Sequence, residues 1–279
     1  ATILMTGELW FRVPEIIEVR LDGEAQKGVY PKDVILEVLG RIRADGAVYK
    51  AIDFTGSYVE KLNVAGRMTI CNMAVEMGAK TAYMQPNADV LNYVDKRAVR
   101  PYEVQFTDPD FQYEESYVFD VSKIEPNLAC PSSVENVHPL SEVVANGPIK
   151  LNQGYIGSCT GGRVEDIAIA AKILKGRHIP EYTRLIVVPA SNEVMQECMK
   201  AGYIQDLMNA GATITTPGCG ACLGAHGGIL APGEVCITST NRNFPGRMGS
   251  TEALMYLASP ATVAASMVNG CITDPREFL

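Results

Sequence analysis

Apolar and polar residues follow two alternating patterns in the first part of the chain. EIIEVRLDG (15–23) alternates every second residue, which is typical of a half-buried strand, and PKDVILEVLGRIRADG (31–46) has apolar residues three and four apart behind a proline, which is typical of a helix. The patterns recur in AVYKAIDFTG (47–56), VAGRMTICNMAVEMGAK (64–80) and TAYM (81–84). They predict an α/β unit that begins inside a helically spaced stretch, ILMTGELWFRVP (3–14), with no N-cap residue before it.

A stretch rich in proline, asparagine and serine (123–152) interrupts these patterns. Beyond it, strand and helix patterns alternate more cleanly: QGYIGS (153–158), VEDIAIAAKILKG (164–176), RLIVVPA (184–190), SNEVMQECMKAGYIQDLMNAG (191–211), ATITT (212–216), EVCITST (234–240) and two closing helices. We therefore predict an α/β fold with mostly parallel sheets. Residues 1–125 and 151–279 are expected to form two subdomains, joined by a linker at 126–150.

Composition narrows the class of function. The chain has 279 residues, of which 47% are hydrophobic, so it can bury a substantial core. A net charge of -8 and a pI near 5.0 argue against nucleic-acid binding, which needs a basic surface. No apolar stretch reaches the roughly 20 residues of a membrane span, and the first residues do not resemble a signal peptide. We expect a cytoplasmic protein whose partners are small molecules or proteins.

Three of the eight cysteines follow predicted strands, where parallel sheets bind ligands. Cys159 lies in YIGSCTGGRVED, between a strand and a helix that begins near Arg163, and Cys219 and Cys222 follow the strand ATITT. These three cysteines are expected to meet at one edge of the sheet. Most of the others lie in helical, strand or terminal contexts, where a cysteine is more often a small buried apolar residue.

Three thiolates without a clear fourth ligand suggest an iron-sulfur cluster with one open iron. Two alternatives stay open at this point. A fourth cysteine or His226 could complete a zinc site. The second alternative is a redox Cys-x-x-Cys, although the proline and glycine before Cys219 do not begin a helix as that motif requires.

Four longer motifs, YIGSCTGGR, TTPGCGACLG, NRNFPGRMGS and RMTICNMAVEMGAKT, resemble the large subunits of the aconitase and 3-isopropylmalate dehydratase family. The resemblance runs over essentially the whole chain. It implies an aconitase-like three-layer α/β/α fold and a 4Fe-4S cluster held by Cys159, Cys219 and Cys222. The fourth iron of that cluster would take the hydroxyl and a carboxylate of the substrate.

The resemblance also assigns roles to polar residues. Asn72 and Glu76, four apart on one predicted helix, would be catalytic residues facing the cluster. Substrate carboxylates would be bound by arginines, because a guanidinium meets a carboxylate with two hydrogen bonds; the implied substrate-binding residues are Arg163, Asn241, Arg242 and Arg247. The competing interpretation is a solvated polar helix face for Asn72 and Glu76, and a capping or surface residue for Arg163.

Two departures from the family pattern matter. Gly161 stands where many relatives have asparagine, which puts the choice of substrate in doubt. The family's Asp-Ser-His-Thr segment and an earlier catalytic histidine are not found in this sequence, so we expect a large subunit without its N-terminal third that is inactive alone. The ending VNGCITDPREFL resembles the natural end of a large subunit, which implies a separate small subunit that supplies the swivelling domain and a catalytic serine.

The resulting hypothesis is a hydro-lyase that removes water from a 2-hydroxy acid and adds it back at the neighbouring carbon. The first choice of substrate is 3-isopropylmalate, ahead of homoaconitate and 2,3-dimethylmalate. A rival hypothesis is an inactive scaffold that binds zinc or a cluster. Another is an enzyme with Cys159 as nucleophile, which is weakened because none of the histidines 138, 178 and 226 lies in a recognisable base motif.

Overall fold

The computed structural model describes residues 1–279, whose strands form two separate sheets. The first sheet has the order β3-β2-β1-β4 and is parallel throughout. Its strands are β1 (Ile16–Asp22), β2 (Ala51–Thr55), β3 (Thr81–Tyr83) and β4 (Glu115–Asp120). The inner strand β1 alternates between buried residues and residues that are partly buried or exposed, as its sequence pattern predicts.

The second sheet has seven strands in the order β6-β5-β11-β10-β7-β8-β9. They are β5 (Asn127–Ala129), β6 (Val137–Pro139), β7 (Gln153–Gly157), β8 (Arg184–Val188), β9 (Ala212–Ile214), β10 (Val235–Thr238) and β11 (Leu254–Leu257). The five strands from β7 to β11 pair with one another in parallel, whereas β5 pairs antiparallel with both β6 and β11. The α/β class with mostly parallel sheets is therefore confirmed.

Eleven α-helices connect and cover the strands: α1 (Thr2–Thr6), α2 (Pro31–Ile42), α3 (Ser57–Lys61), α4 (Val64–Met73), α5 (Ala88–Asp95), α6 (Leu140–Ala145), α7 (Ser158–Gly161), α8 (Val164–Leu174), α9 (Asn192–Lys200), α10 (Tyr203–Asn209) and α11 (Pro260–Asn269). Short 3₁₀ helices span Ala74–Met77, Val121–Lys123, Gly220–Leu223 and Pro275–Phe278. None of these helices combines the length and hydrophobicity needed to cross a membrane. Two large apolar cores pack mainly around the first sheet and around the second.

The segment 126–150, predicted as a linker, contains β5, β6 and α6. Since β5 pairs with β11, this segment adds two strands to one edge of the second sheet. The division of the chain at 125 and 151 into subdomains stays a prediction.

Three predicted elements differ from the structure. The helix predicted over 191–211 is two helices, because Gly202 adopts a left-handed conformation (φ 81°) between α9 and α10. The first of the two closing helices is instead β11, a four-residue apolar run too short for periodicity to distinguish strand from helix. The helix predicted over 64–80 ends at Met73 and continues as the 3₁₀ helix Ala74–Met77.

Helix α2 links the two sheets through a buried carboxylate. Asp33 Oδ1 accepts a hydrogen bond from the backbone N–H of Asn127 in β5 (3.1 Å), and Oδ2 accepts one from the N–H of Tyr30 before the helix (2.9 Å). Burial raises the pKa of Asp33 to about 7. One side chain therefore caps α2 and fastens it to the second sheet.

We predict that Asp33→Asn lowers the free energy of unfolding at pH 8 by about 1–3 kcal/mol. The amide oxygen of asparagine can accept from one of the two N–H groups, and its NH₂ group then faces the other donor. Urea denaturation measures the effect. Asp108→Asn, in an exposed loop, is the matched control and should leave the midpoint unchanged; equal midpoints for both variants would show that this link contributes little.

Candidate active site

Cys159 lies on a sharp exit from the second sheet. Strand β7 ends at Gly157 (φ 150°), and Ser158 follows with a left-handed φ of 63°, which is uncommon for a residue with a side chain. A Cβ added at Gly157 would lie 2.2 Å from the carbonyl oxygen of Val188 in β8, so only glycine fits. The turn brings Cys159 to an exposed position before α8 begins.

Cys219 and Cys222 are held by a short 3₁₀ helix, Gly220–Leu223, within a glycine-rich loop. The N–H of Cys222 donates to the carbonyl of Cys219 (2.9 Å), and the buried Tyr155 hydroxyl in β7 donates to the same carbonyl (2.9 Å). Cys219 is exposed, whereas Cys222 is 7% exposed. Tyr155 thus ties this loop to the strand that precedes Cys159.

The structure brings the three predicted cysteines into one region. Ser158 Oγ, next to Cys159, lies 4.0 Å from the sulfur of Cys222. Both cysteines also lie close enough to Lys32 that a thiolate at either position would interact with its amine. Neither they nor Cys219 forms a disulfide. Their assignment as metal ligands stays a prediction.

The chemistry of this donor set fits an iron-sulfur cluster. No group of three or more His, Cys, Asp or Glu side chains is placed to hold a single metal ion. A cluster makes a different demand, because each cysteine binds its own iron and the sulfurs need not surround one point. Three free thiols at one sheet edge, two of them exposed, meet that demand.

Asn72 and Asn241 meet at Thr160, the residue after Cys159. Asn72 Nδ2 in α4 donates to Thr160 Oγ1 (2.9 Å), and Thr160 Oγ1 donates to Asn241 Oδ1. Asn241 Oδ1 also lies 3.9 Å from the sulfur of Cys159. Thr69, one turn before Asn72, donates from its hydroxyl to the Thr160 carbonyl (3.0 Å). The two asparagines therefore lie beside the Cys159 turn.

Glu76 pairs with Arg242, one of the predicted carboxylate binders. Both carboxylate oxygens of Glu76 accept from Arg242 Nε, at 2.9 and 3.0 Å. Burial raises the pKa of Glu76, and the charges of Arg242, Lys32 and Arg247 oppose that rise. The sequence predicts that Glu76 lies on the same α-helix as Asn72. Instead, α4 ends at Met73 and Glu76 lies in the 3₁₀ helix Ala74–Met77 that follows it.

Two further predicted residues lie at the same edge. Arg163 is the N-cap residue of α8, and its Nη2 donates to the carbonyl of Cys159 (3.3 Å). Arg247 lies near the ring of Phe244, 5.9 Å from its centroid. The Nε atoms of both arginines are buried without a protein partner. Their assignment as substrate-binding residues stays a prediction.

Gly161 and Ser239 pack closely under the Cys159 turn. Ser239 Oγ accepts from the N–H of Gly157 (3.0 Å) and donates to the carbonyl of Gly161 (3.3 Å). A Cβ added at Gly161 would lie 2.3 Å from Ser239 Oγ. An asparagine at 161 would therefore require Ser239 to move.

Sequence reasoning missed Lys32, at the start of α2. Its side chain is 2% exposed, and Nζ donates to the carbonyl of Thr240 (2.7 Å). Burial lowers the pKa of Lys32 to about 8, although the charges of Glu76, Cys159 and Cys222 hold it up. The motif PKD shows a helix start, and nothing in its spacing indicates that this lysine is buried beside the cysteines.

Comparison with known proteins shows the family of the chain. The model of the aconitase family (aconitate hydratase) matches residues 1–270, and the chain belongs to this family. It is 51% identical to the 3-isopropylmalate dehydratase large subunit 1 of Methanopyrus kandleri, covering 100% of this chain and 66% of that protein. It is 48% identical to the probable methanogen homoaconitase large subunit of Methanothermobacter thermautotrophicus, covering 99% and 64%.

A third relative is the 3-isopropylmalate dehydratase large subunit of Hydrogenobaculum sp., which is 46% identical over 99% of this chain and 65% of that protein. The chain thus spans about two thirds of the length of these relatives. Among solved structures, aconitase X of Thermococcus kodakaraensis matches at a TM-score of 0.45 and 12% identity, covering 86% of this chain and 53% of that one. That similarity is too low to bear on the fold.

We predict that Lys32→Met changes how stability depends on pH. Because the pKa of Lys32 is about 8 in the folded protein and near 10.5 in the unfolded one, the unfolded state binds the extra proton between these values. Wild-type stability therefore gains a component that rises with pH from about 8 to 10.5, by up to about 1.4 kcal/mol per pH unit.

The measurement is the difference in unfolding free energy between Lys32→Met and the wild type of the cluster-free protein, from urea titrations at pH 7 to 10. Methionine does not titrate, so the unfolding free energy of Lys32→Met minus that of the wild type should fall as the pH rises. Lys96→Met, at an exposed position, should run parallel to the wild type. A parallel profile for Lys32→Met as well would contradict the buried state of this amine.

Proposed function

We propose that this chain is the cluster-binding part of the large subunit of a hydro-lyase acting on a 2-hydroxy di- or tricarboxylic acid. The observation that carries the proposal is the placement of three free cysteines at one sheet edge, with Glu76, Arg242 and Arg247 beside them. Cys159, Cys219 and Cys222 would hold a 4Fe-4S cluster. When bound, the cluster supplies a Lewis acid that assists departure of the substrate hydroxyl.

Arginines supply the charge that such a substrate needs. The chain carries a net charge of -8, so a dicarboxylate is repelled unless fixed positive charges lie close to it. In Arg242, Nε is engaged by Glu76, while the two Nη atoms have no protein partner and remain free to bind a carboxylate. The Arg247 charge also acts on Glu76, which supports the assignment of both arginines to one site.

Glu76 can take part in proton transfer beside this site. Its side chain is 7% exposed, and burial raises its pKa, which brings a carboxyl closer to the range where it exchanges a proton near neutral pH. The Arg242 pair fixes the plane of its carboxylate. Asn72 would orient the leaving hydroxyl or water with its free Oδ1.

The chain matches about two thirds of the length of its relatives. We infer that the parts of such a large subunit that are not matched here, together with a separate small subunit, complete the site and supply the group that removes the substrate proton. The names of two relatives favour 3-isopropylmalate, and the name of the third favours the substrate of a homoaconitase. 2,3-Dimethylmalate is a further alternative. We place the protein in the cytoplasm, where cysteines remain reduced.

We predict that anaerobic reconstitution of the full-length large subunit with iron and sulfide gives a brown protein with about four irons, and that Cys159→Ser, Cys219→Ser or Cys222→Ser prevents this. Serine is a poor ligand for the iron of a cluster, which prefers thiolates. The measurements are iron and sulfide content and the visible absorbance. Cys236→Ser, at a buried cysteine in β10, is the matched control and should assemble the cluster.

Two results would overturn the cluster assignment. One is stoichiometric zinc in protein purified without oxygen, which would favour the scaffold hypothesis. The other is normal cluster assembly in all three variants. Thioester formation at Cys159 in cluster-free protein would support the nucleophile hypothesis instead.

We predict that Arg242→Lys and Arg247→Lys each lower kcat/KM about thirtyfold, equivalent to about 2 kcal/mol of transition-state binding, and keep the cluster. Lysine preserves the charge and loses the planar pair of donors. The measurement is steady-state kinetics of the full-length large subunit with its small subunit, alongside iron content.

Arg20→Lys, at an exposed position in β1, is the control for the substitution itself and should show wild-type kinetics. Wild-type kinetics in both site variants would remove these arginines from substrate binding. Loss of the cluster would show that they serve the structure of the loop instead.

A further inference from the structure

Thr160 lies at the centre of the hydrogen bonds around the Cys159 turn. Its side chain is 1% exposed, and its hydroxyl uses both kinds of hydrogen bond: it accepts from Asn72 Nδ2 (2.9 Å) and donates to Asn241 Oδ1. Its carbonyl accepts from the Thr69 hydroxyl (3.0 Å). One residue of α7 therefore bonds to two residues of α4, which packs with the first sheet, and to the loop after β10.

This arrangement fixes the two asparagine amides in opposite senses. Asn72 gives its NH₂ group to Thr160 and is left with a free Oδ1, an acceptor. Asn241 gives its Oδ1 to Thr160 and is left with a free NH₂ group, a donor. If the Thr160 hydroxyl were removed, the Asn72 amide would lose its partner, and Asn241 would keep only the 3.9 Å contact of its Oδ1 with the Cys159 sulfur.

The orientation of each amide decides which neighbour it suits. Asn241 presents the same Oδ1 to the sulfur of Cys159, 3.9 Å away, so the orientation that Thr160 holds decides whether an acceptor or a donor faces this sulfur. Hydrogen bonds to the sulfurs are one way in which a protein sets the properties of a cluster. The free acceptor of Asn72 suits a hydroxyl group or water. Which end of each amide is turned toward Thr160 therefore decides what the other end can bind.

We propose that Thr160 is the positioning residue of this site: its single hydroxyl sets which end of Asn72 and which end of Asn241 is presented, and holds α4 against the Cys159 turn. The inference rests on the proposed function for its effect on a cluster. The hydrogen bonds themselves are a property of the cluster-free chain and can be tested without it.

The first test uses the cluster-free protein. Thr160→Val keeps the shape of the side chain and removes the hydroxyl, whereas Thr160→Ser keeps the hydroxyl. NMR should show at least about tenfold faster hydrogen exchange of the Asn72 side-chain amide in Thr160→Val, and a rate close to wild type in Thr160→Ser. If Thr160→Val does not fold, Thr160→Ala takes its place. An unchanged rate in the valine or alanine variant overturns the proposal.

The second test uses the reconstituted protein. Supporting residues behind metal ligands typically change metal affinity by 10–100-fold, so Thr160→Val should lose iron roughly tenfold faster and show an altered EPR spectrum of the reduced cluster. Thr160→Ser should restore both. The control is Thr262→Val in α11, whose buried hydroxyl lies 3.0 Å from that of Ser259; it should lower stability and leave the iron-loss rate and the spectrum unchanged.

The outcomes separate the two proposals. Failure of the wild-type protein to assemble a cluster refutes the proposed function, and the exchange test still decides the role of Thr160. A normal cluster with wild-type iron loss and spectrum in Thr160→Val refutes the positioning role alone. Equal effects from Thr160→Val and Thr262→Val on the iron-loss rate would also refute it, because they would reflect stability only.

Discussion

The candidate site depends on a buried lysine whose positive charge must be offset by the groups around it. Lys32 is 2% exposed and lies in the first turn of α2, where the helix dipole is unfavourable for a positive charge. Such an amine is stable only if anionic groups and hydrogen-bond acceptors lie around it. The structure supplies the Thr240 carbonyl, the Glu76 carboxylate and the thiols of Cys159 and Cys222.

The groups that offset the charge of Lys32 come from several distant parts of the chain. Glu76 follows α4 beside the first sheet, and Thr240 follows β10 of the second. Cys159 lies in the short helix α7 after β7, and Cys222 lies in the 3₁₀ helix after β9. A cation without these neighbours would lose its proton or stay exposed to water. Lys32 and Thr160 both connect the two sheets. Lys32 in α2 bonds to the Thr240 carbonyl after β10, and Thr160 after β7 bonds to Thr69 and Asn72 in α4.

Local patterns predicted most of the fold. The alternation in EIIEVRLDG and the helical spacing behind Pro31 depend only on neighbouring residues, so β1 and α2 are readable from sequence. The breaks at Gly202 and at Met73 are not, because they depend on a left-handed glycine and on a change of helix winding that periodicity does not show. The strand β11 is a short apolar run whose state is decided by its pairing with β10.

The candidate site divides in the same way. Cys159, Cys219 and Cys222 could be placed at the ends of strands because position along the chain predicts which edge of a parallel sheet a loop occupies. Thr160 and Lys32 could not be found so, since a threonine in a glycine-rich turn and a lysine after a proline are ordinary at helix starts. Only tertiary packing shows that both are buried and that their partners come from distant segments.

Exposure separates the cations of this site into two groups under the proposed function. The Lys32 amine, fully enclosed, can act only on the protein's own anions, so its charge offsets the repulsion among Glu76 and the thiolates that would hold the cluster. Arg242, whose side chain is 36% exposed, keeps its outer nitrogens free for a carboxylate from outside. A single cation could not serve both purposes. A cation that is buried deeply enough to act strongly on the thiolates excludes a ligand, and a cation that is exposed to a ligand is screened by solvent and acts less on the sulfurs.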